Sequence, residues 1–292
     1  MLMVDTTVPP KPTKTPDAVR VGAVAVRAGT VGWGWPIAMI AIRLGIIAAG
    51  VGIVFGVAVL LHSSQALLLA LTAALPMTLV ANLVSLEILV WRGHREGFRL
   101  RDLMGFRTGW KSLLKDAGWS LLWVPALMLP FDLAVAGVAV ALGHPKDLNT
   151  LILAVQKLFI GPLGLSAGRS FPLWYGILIA VLFPLINPLL EEIHYRGYVQ
   201  PRIAARTKHA WIAIGFTSIF FGLQYAAYAW AWGSVPVFVA GYLVWGIVAG
   251  VISHLQRRIA TLVFAHFLVS IPVAVLPLAY ILLSLLVTKT TV

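Results

Sequence analysis

Two adjacent carboxylates in the stretch "LLEEIHYRGYVQ" give the strongest indication of chemistry in the sequence. Glu191 and Glu192 end an apolar run that carries no charge from Phe171 to Leu190. In a helix, Glu192 and Arg196 share a face because four residues separate them. Arg196 neutralising Glu192 at a helix end is the simplest interpretation, but it leaves Glu191 unexplained. Since adjacent helical residues point in different directions, Glu191 is a candidate general base that activates water.

Further polar side chains lie downstream in apolar segments. His266 and Ser270, in "LVFAHFLVS", are four residues apart and so share a helical face. Gln224 and Tyr225, in "FFGLQYAAYAW", can both face a cavity. A histidine in an apolar helix is more often a packing residue than a catalytic one. His266 is therefore a catalytic candidate only in combination with the glutamates.

Metal chemistry is a weaker hypothesis. Glu191 and His194 have ligand-like spacing, and His266 could be a third zinc ligand. Di-iron bundles, however, need a Glu-x-x-His motif on two helices, and the chain has one. The chain has no cysteine, which excludes disulfides and thiolate sites. We expect no cofactor, with zinc held by Glu191, His194 and His266 as the less favoured alternative.

Composition predicts an integral membrane protein. The chain is 60% hydrophobic and only 11% charged, whereas a soluble domain has about 25% charged residues. Apolar runs of 18 or more residues recur, which is the length a helix needs to cross a bilayer. The excess of 22 Lys and Arg over 10 Asp and Glu is typical of cytoplasmic loops and anionic lipid surfaces. We therefore expect a lipid bilayer as partner and no nucleic acid.

The apolar segments predict an all-α, polytopic bundle of seven or eight transmembrane helices. Residues 1–32 are predicted to form a flexible cytoplasmic tail, and residues 33–292 the membrane domain. Arg43 is close enough to the start of its segment to reach the interface. Six spans are expected near 35–61, 66–91, 119–142, 172–193, 210–230 and 235–255, and residues 259–287 could form one kinked span or two short helices.

The connections predict the topology. Residues 92–118 carry seven basic and three acidic residues and should be cytoplasmic, with a helix lying at the membrane interface. The basic residues after Glu192 and the "QRR" at 256–258 should lie on the same side, which places the N-terminus in the cytoplasm. The stretch "LILAVQKLFIGPLGLS" (151–166) is predicted to be interfacial or half-inserted.

Three motifs in this order resemble a known family. "EEIHYRG" matches the EExxxRG signature of the CAAX-processing and bacteriocin-processing membrane peptidases (the CPBP or Abi family), which include the type II CAAX prenyl endopeptidase. "FFGLQYA" is similar to the second family motif, often written FGLQHA. "GIVAGVISHLQRRIATLVFAHFLVS" is similar to the third, an HxxxN/D preceded by a Gly-rich helix. The resemblance covers about Pro172 to Ser270, within a family-like core of about 172–287.

The resemblance implies a glutamate-type endopeptidase that cleaves membrane-associated or lipidated peptides. Glu191 would activate water with support from Glu192 and Arg196, and His266 would hold the water or stabilise the oxyanion. Two positions depart from the family pattern: Tyr225 stands in place of the second-motif histidine, and Ser270 in place of the third-motif Asn or Asp. Tyr225 can donate a hydrogen bond but is a poor base at neutral pH.

Two other classes of function are considered. The departures at Tyr225 and Ser270 favour, as the alternative, a catalytically degenerate member that binds membrane proteins or lipidated peptides as a scaffold or immunity-type factor. A transporter is less favoured because the chain lacks matching broken segments in two halves.

Overall fold

The fold is an all-α bundle with one small β-hairpin, seen in a computed structural model that describes residues 18–27, 29, 31–106, 109–160 and 173–290. The elements are β1 Ala18–Val21, β2 Val24–Arg27, α1 Gly34–Leu60, α2 Ala66–Glu96, α3 Leu100–Met104, α4 Trp110–Gly143, α5 Leu148–Val155, α6 Leu173–Glu192, α7 Gln200–Thr207, α8 Ala210–Gln224, α9 Val235–Gln256 and α10 Ala260–Thr290. A π-helical segment, Ile193–Val199, joins α6 to α7.

The predicted spans agree with the helices of the structure. Within the described residues, six helical segments are long and apolar enough to cross a membrane: Gly34–Leu60, Ala66–Glu96, Trp110–Gly143, Leu173–Thr207, Ala210–Tyr228 and Trp232–Gln256. For the last apolar stretch, the sequence allowed either one kinked span or two short helices. The structure has one helix there, α10, and its first part, Ala260–Val275, is a shorter apolar segment. The predicted all-α membrane bundle is confirmed.

The N-terminal region differs from the predicted flexible tail. Residues 18–27 form an antiparallel hairpin in which Val21 pairs with Val24. Its alternating pattern buries Val21 and Val26 while the residues between them are more exposed, as expected for a strand with one covered face. The hairpin turn is tied to the bundle because the Gly22 amide donates to the Arg257 carbonyl at 2.7 Å. Residues 1–17 of the predicted tail lie outside the described residues.

The two long connections are more helical than predicted. The transmembrane helix α2 continues to Glu96, and the short helix α3 follows before α4 begins at Trp110. Gly97 and Gly105 end α2 and α3 in the left-handed conformation, which glycine adopts without steric cost. The predicted half-inserted stretch begins within α5 and continues through a π-helical turn that ends at Ile160, and its remainder lies outside the described residues.

The basic segments that were predicted to share one side do meet at one end of the bundle. Arg258 forms two hydrogen bonds with Asp116, at 2.7 and 2.5 Å. Arg202 forms an ion pair with Glu96. The backbone amide of Ile259 donates to the carbonyl of Met104 at 3.3 Å. The connections that follow α2, α6 and α9 therefore lie on the same side of the membrane-spanning helices.

Small residues let α8 and α9 approach closely. A Cβ atom on Gly246 would lie 2.9 Å from the Cα of Ser218, and one on Gly250 would lie 3.0 Å from the side chain of Ile214. A Cβ on Gly222 would meet the Val239 carbonyl oxygen at 2.8 Å. The "GIVAG" pattern therefore permits helix contact, the role that small residues commonly have in membrane bundles.

The docked hairpin makes a prediction about Gly22. Its φ is 57°, and a Cβ atom there would overlap the carbonyl oxygen of Asp102. Alanine in this backbone conformation costs about 1–2 kcal/mol before any overlap. Gly22→Ala should therefore loosen the hairpin, and trypsin should cleave after Arg20 or Arg27 faster than in the wild type. The control is Gly32→Ala, where the new Cβ meets nothing within 4 Å; equal cleavage rates for both variants would contradict the docking.

Candidate active site

The two glutamates lie in a continuously buried stretch of the chain. Every residue from Leu190 to Ala205 is buried, and both glutamates have 0% exposure. The helix changes to π-helical geometry directly after Glu192. Such π-helical turns are uncommon and occur frequently at functional sites because they reorient side chains within a helix.

Glu191 accepts hydrogen bonds on both of its carboxylate oxygens. Oε1 accepts from Arg43 Nη2 at 2.6 Å and from Gln224 Nε2 at 2.9 Å. Oε2 accepts from the Tyr225 hydroxyl at 3.0 Å and lies 4.0 Å from His266 Nε2. The carboxylate is thus held in one orientation by donors from α1 and α8 together with the residue that follows α8.

Arg43 does not reach the membrane interface as predicted. It has 0% exposure and uses three nitrogens inside the bundle: Nη2 bonds Glu191, Nε donates to Gln224 Oε1 at 2.7 Å, and Nη1 donates to Asn82 Oδ1 at 2.6 Å. Asn82 in turn donates to Asn187 Oδ1 at 2.9 Å. The physical reason is that the Glu191 carboxylate compensates the guanidinium charge, and Gln224 and Asn82 accept two further hydrogen bonds from it, so the buried arginine is paired as buried charges generally are.

Glu192 has its own set of partners. Its Oε1 is 3.0 Å from His266 Nδ1 and 3.3 Å from Arg196 Nη1. Arg196 also donates to the carbonyl of Gly246 at 3.4 Å and lies over the ring of Phe221 at 4.3 Å. The predicted pairing of Glu192 with Arg196 is therefore present, and the guanidinium is additionally fixed by α8 and α9.

His266 connects the two carboxylates. Its Nδ1 is within hydrogen-bonding distance of Glu192, and its Nε2 faces Glu191 at 4.0 Å. Because Arg43 pairs with Glu191 and Arg196 with Glu192, each acid has a cation of its own. The repulsion expected between adjacent carboxylates is thus compensated at both positions.

Tyr225 and Ser270 occupy the positions where the sequence departs from the family pattern. The Tyr225 ring stacks on Tyr242 with centroids 3.4 Å apart and an interplanar angle of 4°. This stacking holds the hydroxyl on Glu191. Ser270 is buried one turn after His266, and among the described residues it makes no hydrogen bond to either glutamate.

His194 does not join the other predicted zinc ligands. It is fully buried, and neither of its ring nitrogens has a hydrogen-bond partner among the described residues. Its ring packs against Tyr195 with centroids 4.7 Å apart. In the part of the chain that the structure describes, no group of three His, Cys, Asp or Glu side chains has an arrangement that could hold a metal ion.

Three residues of the site were not predicted: Arg43, Asn82 and Asn187. An arginine within an apolar span is expensive unless paired, and Arg43 lies nine residues after the start of α1, or about 13 Å along the helix. That depth could have marked it as a functional candidate. The asparagines gave a weaker indication because uncharged polar residues occur in many membrane helices.

Comparison with known proteins supports the motif assignment. Residues 172–271 match the family model described as Type II CAAX prenyl endopeptidase Rce1-like. The predicted family resemblance is confirmed over this segment. No curated protein and no solved structure matches the chain. The Rce1-like segment covers about a third of the chain and contains both glutamates, Arg196, Tyr225 and His266. Together with the six candidate spans, it identifies an integral membrane protein.

The buried ion pair predicts the stability of variants at Arg43. Arg43→Gln leaves the Glu191 charge buried without its cation, which typically costs about 3–5 kcal/mol. The free energy of unfolding in mixed detergent micelles should fall accordingly. The double variant Arg43→Gln/Glu191→Gln should recover part of the loss because the two residues are coupled. The exposed Arg95→Gln is the matched control; a single Arg43 variant as stable as this control would contradict the ion pair.

Proposed function

We propose that the protein is a membrane-embedded endopeptidase in which Glu191 activates water to cleave membrane-associated or lipidated peptides. The observation that carries the proposal is the 4.0 Å separation between Glu191 Oε2 and His266 Nε2. This distance is too long for a direct hydrogen bond. It suits a single water molecule that hydrogen-bonds both atoms.

The tautomer of His266 follows from its contact with Glu192. An ionised carboxylate only accepts hydrogen bonds, so His266 Nδ1 carries the proton and donates it to Glu192 Oε1. In a neutral imidazole, Nε2 is then an acceptor. A water between Nε2 and Glu191 Oε2 donates one hydrogen bond to each of them. Its lone pairs remain available to attack a carbonyl carbon.

In the proposed hydrolysis, every bond and proton is accounted for. The water oxygen forms a bond to the carbonyl carbon of the scissile peptide, and one water proton passes to Glu191 Oε2. The tetrahedral intermediate then breaks its C–N bond, and the proton on Glu191 is transferred to the leaving nitrogen. Glu192 and Arg196 act through His266 by fixing its ring orientation and tautomer, so they are positioning residues.

Tyr225 has a role in this scheme that differs from that of a histidine. Its hydroxyl donates to Glu191 Oε2, the same atom that receives the water proton. Once Oε2 is protonated, the hydroxyl can turn to the oxyanion on the substrate and stabilise it as a hydrogen-bond donor. Tyrosine at the second motif is then compatible with hydrolysis.

The match to the Rce1-like family model supports a CAAX-type substrate, and the basic connections support the proposed topology. CAAX-type substrates carry a lipid near a free C-terminus and approach from the membrane surface. We propose that the site opens toward the end of the bundle where the basic connections gather, that this end and the N-terminus are cytoplasmic, and that the reaction needs no metal or other cofactor.

A second, non-catalytic function is favoured by the hydrogen bonding of Glu191. Glu191 is fully buried and already accepts three hydrogen bonds, from Arg43, Gln224 and Tyr225, as a purely structural carboxylate would. A non-catalytic protein that binds membrane proteins or lipidated peptides as a scaffold or immunity-type factor would use this network for stability alone.

Replacement of Glu191 tests the proposed activity. Purified protein in liposomes, incubated with farnesylated peptides, should release C-terminal fragments detected by mass spectrometry. Glu191→Gln should lower the rate by about 10²–10⁴-fold because the base is lost, whereas Glu87→Gln, an exposed residue of α2, should leave it unchanged. A chelator should have no effect. Chelator-sensitive activity restored by zinc would contradict the metal-free mechanism, and no cleavage by the wild type would favour the scaffold.

Tyr225 variants test the proposed oxyanion donor. Tyr225→Phe keeps the stacking on Tyr242 but removes the hydroxyl, so kcat should fall by about 10²-fold, as for loss of one oxyanion-hole donor, with little change in KM. Tyr225→His restores the family residue and should retain activity. Full activity in the Phe variant would exclude the hydroxyl from the mechanism.

A further inference from the structure

A carboxylate without a partner lies inside a membrane-spanning helix, away from the glutamates. Asp132 belongs to α4, one of the apolar helices that are long enough to cross a bilayer, and its side chain is exposed. Among the described residues it forms no hydrogen bond and no ion pair. Acidic residues in membrane helices almost always face the bundle interior and pair there, so an exposed one indicates a function.

The buried and half-buried acids of the described spans are compensated, in contrast to Asp132. Glu191 and Glu192 each form an ion pair with an arginine inside the bundle. At the basic end, Glu96 and Asp116 each pair with an arginine as well. The fold therefore supplies a cation to each of these four carboxylates and supplies none to Asp132.

The face of α4 around Asp132 contacts no other described helix. Leu133, the next residue, is 73% exposed, and a Cβ atom on Gly137 would meet nothing within 4 Å. The packed face is a different one: a Cβ atom on Gly241 of α9 would lie 2.8 Å from the Phe131 ring. The bundle thus covers α4 on the side of Phe131 and leaves Asp132 facing lipid.

Asp132 lies well within the span. It follows Asp116, whose ion pair marks the basic end, by sixteen residues, or about 24 Å, and it precedes Gly143 at the end of α4 by eleven residues, or about 16 Å. The adjacent Phe131 packs on Tyr242, which is seven residues, or about 10 Å, inside the start of α9. An aspartate side chain is too short to reach water from this depth as lysine and arginine do.

A second copy of the chain does not fit this face. A symmetric contact centred on it would bring two Asp132 carboxylates together. The arginines in the interior of the described spans, Arg43 and Arg196, are buried and already paired with their own glutamates. The complementary charge must therefore come from a different protein.

We propose that this face of α4 binds a transmembrane helix of another membrane protein, which carries a lysine or arginine within its span and pairs it with Asp132. Each charge alone is costly in hydrocarbon, and the cost falls when the two helices bring the charges together. Ala136 and Gly137, one turn after Asp132, let a second backbone approach closely. The inference is independent of the proposed hydrolysis, in which Asp132 has no role.

Lys157 is the competing cation within the chain. It is exposed on the π-helical turn that follows α5. Phe159 of the same turn packs on Phe131, the neighbour of Asp132, with ring centroids 5.7 Å apart. Lys157 and Asp132 form no ion pair in the structure. A Lys157→Gln variant tests whether the two side chains pair in the bilayer.

The test measures helix association with defined probes. An apolar leucine–alanine peptide long enough to span the bilayer carries one central arginine, and a second peptide has leucine there. Each acceptor-labelled peptide is titrated against donor-labelled protein in phosphatidylcholine liposomes, and energy transfer gives the affinity. We expect the arginine peptide to bind at least about fivefold more tightly than the leucine peptide, as for polar contacts between membrane helices.

Variants assign that preference to Asp132. Asp132→Leu should reduce the affinity ratio to about one. It should also fold as well as the wild type, because leucine suits a lipid-facing position; unfolding in detergent micelles checks this. The matched control is Glu87→Gln, which removes an exposed acid of α2 and should leave the ratio unchanged.

Three results would overturn the inference. The first is a ratio of about one in the wild type, or a preference for arginine that persists in Asp132→Leu. The second is a ratio that rises above one only in Lys157→Gln, which would assign Asp132 to an internal ion pair. The third is energy transfer between two labelled copies of the protein that is lost in Asp132→Leu, which would assign this face to a homodimer.

Discussion

The ion pair between Glu191 and Arg43 is the constraint on which the arrangement of the bundle depends. A charge inside a membrane helix costs several kcal/mol unless it is paired, and both side chains have 0% exposure. They are 148 residues apart in the chain. Neither α1 nor α6 can therefore shift along the other without leaving a buried charge alone, which fixes the register of the bundle around the site.

The same requirement explains the shell around the pair. Gln224 and Asn82 accept hydrogen bonds from Arg43, and Asn187 accepts one from Asn82, because a buried polar group without a partner is costly. Glu192 is compensated in the same way, by an ion pair with Arg196 and a contact with His266. The outcome is a polar centre with balanced charge, in which one imidazole nitrogen is committed to Glu192 and the other faces Glu191. That asymmetry gives two adjacent glutamates different chemical environments.

Sequence reasoning predicted the parts of the structure that are encoded locally. The apolar runs predicted the spans because membrane thickness dictates helix length, and the motif around Glu191 predicted the contact with Arg196 because four residues make a helical turn. The order of the three motifs indicated that Tyr225 and His266 would join the glutamates, and the structure places both beside them. None of this required knowledge of the tertiary fold.

The features that the sequence did not predict depend on contacts between segments that are distant in the chain. Arg43 was predicted to reach the interface because sequence alone does not show which carboxylate a cation will meet across the bundle. The hairpin at residues 18–27 was missed because a short strand pair is only marginally stable by itself, and its docking on the basic end supplies what the local pattern lacks. The π-helical segment after Glu192 has no recognised sequence signal, yet it orients the residues that follow.

The central claim, that Glu191 delivers a water molecule rather than attacking the substrate itself, is tested most directly by a single turnover in H₂¹⁸O. The account predicts that the new carboxyl group of the product contains one ¹⁸O atom and that mass spectrometry of the protein finds Glu191 unlabelled. Appearance of ¹⁸O in Glu191 would reveal a covalent intermediate and contradict direct water attack. Absence of any cleaved product, with folded protein and bound peptide, would contradict the account as a whole.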